Sequence, residues 1–129
     1  MDATEPGARP VELPVESWLV IDSAMGAETS VEGQTGDEAG VVELGLSVRR
    51  AGWNALPDWP SDPQGFTSWP QPGRRVTIAL SASQWSLVLA VLDRWAEVGD
   101  SLDDPKQAEE AQRCRALAEH LRSELDSTP

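Results

Sequence analysis

His120 is the only histidine in the chain and Cys114 the only cysteine, six positions apart. With no other residue of either type, they cannot complete a zinc set. A histidine acting as general base also needs a positioned partner, and no acid or nucleophile is spaced to serve it. His120 instead falls near the C-terminal end of an amphipathic pattern, where a cation interacts favourably with the helix dipole. Cys114 falls on the apolar stripe of the same pattern and reads as a small packer.

Other constellations that could do chemistry break down in the same way. The acidic stretch from Glu28 to Glu38 lacks the alternate-position carboxylates of a calcium loop. Gly26, Gly33, Gly36 and Gly40 fit neither dinucleotide nor P-loop spacing. No Gly-x-Ser-x-Gly elbow occurs. The carboxylate pairs Asp103/Asp104 and Asp93/Glu97 fall on exposed helix ends or faces, where they are solvated. The expectation is a protein that is not an enzyme and holds no metal or cofactor.

One segment has a composition suited to recognition. Trp53, Trp59, Phe66 and Trp69 are embedded among Pro57, Pro60, Pro63, Pro70 and Pro72. Prolines fix φ and remove amide donors, so this stretch reads as an ordered irregular loop. Its aromatic rings are candidate partner-binding residues, since tryptophan is a preferred interface anchor. The same rings can instead fold down as a lid, in a chain that has one Phe and no Tyr to fill its core.

The elements that would carry these residues follow from periodicity. Val76, Ile78 and Leu80 alternate with Thr77 and Ala79, which predicts a strand near 75–80. Ser81 and Gln84 form a capping box that opens a helix near 82–98, whose stripe includes Trp85, Val88, Leu89, Leu92 and Trp95. Gly99 reads as its terminator. Asp104 and Pro105 supply the cap and first turn of a second helix near 105–125, with a core stripe of Ala108, Ala111, Cys114, Leu117 or Ala118, Leu121 and Leu125. Its outer face places Glu109/Arg113 and Arg115/Glu119 at i, i+4.

Upstream, the short apolar run 17–22 reads as a strand, and 24–40 as a Gly-rich acidic connection. Val42, Leu44, Leu46 and Val48 alternate across 41–48 and read as a further strand. Residues 1–16 read as a flexible acidic tail and 127–129 as a short C-terminal one. No internal repeat is visible. The predicted fold is α+β: one domain over 17–126, with a small three-stranded antiparallel sheet packed by a C-terminal two-helix hairpin and carrying the Trp/Pro-rich loop.

Charge restricts the partners. Twenty-two acids oppose ten bases, and the first 48 residues hold ten of the acids against the single base Arg9. Binding of nucleic acid or an anionic membrane surface requires a Lys/Arg patch, so neither is expected directly. No apolar run reaches the ~20 residues of a bilayer span, and no leader opens the sequence, which points to the cytoplasm. Nine of the ten bases are Arg, a bias that fits a bacterial or phage coding sequence. The functional expectation is a small acidic, non-catalytic accessory protein that acts by protein–protein binding, with a basic protein partner. The alternative is an acidic inhibitor of a nucleic-acid-binding protein, such as an immunity protein, an antitoxin or a DNA mimic.

Overall fold

The computed structural model describes residues 9–36, 40–58, 60, 64 and 69–126. Along the chain run β1 (Arg9–Pro14), α1 (Val15–Thr35), α2 (Val41–Ala55), β2 (Arg75–Leu80), α3 (Ala82–Ser101) and α4 (Pro105–Asp126). The three-stranded sheet is therefore corrected. Among the described residues the sheet has two strands, β1 paired antiparallel with β2, and helices make up most of the fold.

Both upstream strand assignments fail for one reason: a six- to eight-residue window cannot separate period 2 from period 3.6 when the buried positions are not all apolar. Residues 17–22 lie inside α1, where Trp18, Ile21, Asp22 and Met25 are buried at helical spacing. Residues 41–48 open α2, whose buried positions are Gly45, Val48 and Gly52. The apparent Gly-rich connection is helical as far as Thr35 and stops at Gly36, in the left-handed region at φ 100°, whose amide donates to the Glu32 carbonyl. Residues 9–14, assigned to a tail, form β1.

The glycines in α2 are there for proximity. A Cβ on Gly52 would overlap the indole of Trp18, and one on Gly45 would overlap Thr29. Glycine costs about 1 kcal/mol in a helix interior, and here it lets α2 lie directly against α1. Gly99 does the same downstream. It does not end α3 but sits buried within it, where a Cβ would stand 2.7 Å from the Gln107 carbonyl oxygen and 2.9 Å from Ala111 Cβ.

The C-terminal hairpin follows its sequence signals. The Ser81 hydroxyl accepts from the Gln84 amide while the Gln84 side chain accepts from the Ser81 amide. Asp104 caps α4 by accepting from the Lys106 amide at 2.9 Å. Ala111, Cys114, Leu117, Ala118 and Leu121 are the buried stripe of α4. The ion pairs differ from the expected ones: Arg113 pairs with Glu110, and Arg115 reaches across to Asp100 on α3.

The element order is βαα repeated. Aligning the first residue of α1 with that of α3 brings Val11 onto Ile78, Leu13 onto Leu80, Trp18 onto Trp85, Ile21 onto Val88 and Met25 onto Leu92, all buried. The buried positions of α2 (45, 48, 52) recur with the same spacing in α4 (114, 117, 121). The second helix of each unit packs on the strand of the other, α2 on β2 and α4 on β1. An internal repeat is thus present that sequence identity alone does not show.

The register fixes which backbone groups of the sheet are paired. The Val15 amide donates to the Arg74 carbonyl at 2.9 Å, which continues the register Pro14↔Arg75 by one step. In an antiparallel ladder hydrogen-bonded pairs alternate, so Leu13/Val76, Val11/Ile78 and Arg9/Leu80 are the bonded ones. Pro10, Glu12 and Pro14 direct their main-chain groups to the outer edge.

Candidate functional site

The aromatic candidates do not converge within the described residues. Trp53 lies near the end of α2, 37% exposed, with the Arg49 guanidinium over its ring at 5.0 Å. Trp69 is half-buried against the core, and its Trp69–Pro70 bond is cis. Its indole N–H donates to Asp58 Oδ2 at 3.0 Å. Asp58 also accepts both terminal nitrogens of Arg74, whose guanidinium stands 6.0 Å from the Trp69 ring centroid. Asp58 is held well below the usual carboxylate range, at about 2, chiefly by the Arg74 hydrogen bond. Trp69 is therefore engaged by the protein itself. Trp59 and Phe66 lie outside the described residues.

Among the described residues, charge is buried on α1. Asp22 and Glu28 are 8% and 4% exposed. Arg49 of α2 meets Asp22 with two hydrogen bonds, Nε to Oδ1 at 3.0 Å and Nη2 to Oδ2 at 3.3 Å. Arg94 of α3 meets Glu28 Oε2 at 3.0 Å. These pairs tie α1 to both neighbours. A carboxylate engaged by a fixed guanidinium is a structural joint, with no room for a reacting group between them.

Among the described residues two surfaces stand out. The first is the α3–α4 tip. Among the described residues only three large hydrophobics are exposed, and two of them, Val98 (36%) and Leu102 (48%), stand at this tip. Glu97, Asp100, Asp103 and Asp104 in the same stretch are all exposed. The second is a furrow between α1 and α4. A cavity of about 770 Å³ is lined by Pro14, Ser17, Val20, Arg75, Arg113 and His120, among others. It adjoins a second of about 420 Å³ that reaches Ala24, Trp95 and Cys114. Glu16, Val20 and Arg113 belong to both.

His120 is exposed and lines this furrow. Cys114 is buried, and desolvation pushes its thiol up, away from the reactive thiolate. Among the described residues no group of three or more His, Cys, Asp or Glu could hold a metal ion, and no helix is long and apolar enough to cross a membrane. Sequence reasoning missed both surfaces. The tip was hidden because Val98 extends an otherwise buried stripe, and the furrow because α1 was not read as a helix. Compared with protein families, curated proteins and solved structures, the chain matches none.

Proposed function

We propose that this chain is a non-catalytic binding protein that docks on a basic protein partner through the α3–α4 tip. One observation carries the reading: two exposed apolar side chains, Val98 and Leu102, stand four positions apart in a stretch that also exposes Glu97, Asp100, Asp103 and Asp104. An apolar centre with a charged rim is the usual anatomy of an interface, the centre supplying burial and the rim steering and register. The wider charge distribution supports it. Seven arginines (49, 74, 75, 94, 113, 115 and 122) are already paired with acids of the same chain, so the outward charge is set by the surplus carboxylates. Proteins that bind nucleic acid present basic surfaces and fall within this partner class.

A photo-crosslinking residue in place of Leu102, used in the native host, tests the reading. The expected product is a covalent complex with a protein of basic surface. Its yield should fall when Glu97, Asp100 and Asp103 are neutralised and when salt is raised, since fields are screened beyond about 8 Å at physiological ionic strength. A crosslink that persists unchanged in a V98S background with the acids neutralised would overturn it.

A further inference from the structure

We propose that the furrow between α1 and α4 binds an apolar monocarboxylic acid, with its carboxylate on Arg75 and Arg113 and its chain along Val20 toward Trp95. The two adjoining cavities, about 770 and 420 Å³, are of a size that takes a small molecule and are joined through Val20 and Arg113. The floor is apolar: Pro14, Val20 and Leu117 at one end, Leu19, Ala24 and the Trp95 ring at the other. The wall of the larger cavity carries two guanidinium groups, the His120 imidazole and the Ser17 hydroxyl.

The guanidinium groups have donors to spare. The ion-pair contact of Arg75 is Nε to Glu12 Oε1 at 3.4 Å, and that of Arg113 is Nη1 to Glu110 Oε1 at 2.9 Å. Both pairs are exposed, and exposed ion pairs hold their partners weakly. The free edge of each planar fork matches the two oxygens of a carboxylate.

Glu16 on the same wall and the net charge of −12 limit the anion that can enter. A dianionic phosphate meets that repulsion twice, whereas a monoanion with an apolar body gains from the forks and the floor together. The furrow shares no residue with the α3–α4 tip, and its occupancy does not depend on a protein partner.

Titration of the full chain with decanoate, decanol and decylamine, followed by backbone and indole NMR shifts, tests this. Decanoate is expected to bind saturably, to move the signals of Ser17, Val20, Leu117 and the Trp95 indole, and to bind at least about tenfold tighter than decanol, the low end of what charge-assisted hydrogen bonds contribute. The R75Q/R113Q variant should bring decanoate down to the level of decanol with an unchanged thermal midpoint, and each single variant should lose part of the preference. Equal binding of acid and alcohol, tighter binding of the amine, shifts confined to other surfaces, or a preference that survives R75Q/R113Q would overturn the proposal. Tighter binding of a peptide with a free apolar C-terminus than of decanoate would overturn the assignment to a free acid.

Discussion

Glycine lets the helices of both βαα units approach closely, but in the first, carboxylates buried on α1 cross to Arg49 and Arg94, whereas in the second α4 meets α3 through Gly99, alanine, cysteine and leucine, with charge kept to the rim. The equivalent tryptophans show the contrast most plainly. Trp85 donates its indole N–H to the Arg9 carbonyl at 2.9 Å, whereas Trp18 packs on Gly52 and its N–H finds no acceptor among the described residues. Apolar packing in the second unit tolerates graded change. Buried charge in the first does not, because removal of one partner strands the other without water.

The largest expected effects come from the matched tryptophans. Trp18→Ala and Trp85→Ala should each cost about 3–5 kcal/mol, the usual penalty for emptying a large core site. Denaturant midpoints that fell for one variant and not for the other would break the equivalence of the two units. The buried pair comes next. Arg49→Ala should cost about 3 kcal/mol by leaving Asp22 buried and unpaired. The double change Asp22→Leu with Arg49→Met should cost less than Arg49→Ala alone, since no charge is then stranded; a double-mutant cycle in denaturant reads this directly.

Gly52→Ala should cost about 1–3 kcal/mol, because its methyl group displaces the Trp18 ring. On the rim of the second unit, Arg122 pairs with Asp93 across exposed helix faces, so Arg122→Ala should cost under about 1 kcal/mol. An Arg122 effect equal to that of Arg49 would erase the distinction between the two units.

The smallest effect is local and depends on pH. The folded-state pKa of Asp58, about 2, lies below its ordinary value of 3.8. Its contribution is therefore complete above the ordinary carboxylate range and is lost as pH falls through about 2. Trp69, tied to Asp58, should change its fluorescence within that acid window, and Asp58→Asn should remove the transition.

These contrasts also explain what could be read in the chain. The α3–α4 hairpin was legible because Trp85, Val88, Leu92 and Ala96 repeat at helical spacing and Ser81 and Asp104 mark the starts. The α1–α2 hairpin was not, because its contact face is written in Gly45, Gly52, Asp22 and Glu28. Those residues signal loop or surface until a neighbouring helix supplies the reason for them. Gly99 misled in the same way, since a helix end and a close crossing both select glycine. The repeat stayed hidden because it lies in burial and element order, with Trp18/Trp85 and Leu13/Leu80 among its few identities. Of the aromatic candidates, Trp53 and Trp69 needed coordinates to reveal Arg49 and Asp58 as their neighbours.

Pro10 and Pro14 occupy two of the three positions in β1 whose main chain points away from β2. The outer rim of that strand therefore offers one amide hydrogen, that of Glu12, beside a carboxylate. A foreign strand seeking to extend the sheet there would find almost no donors and a repelling charge. A sheet of two strands is all edge, and β1 is chemically closed to the stacking from which fibrils and swapped assemblies grow.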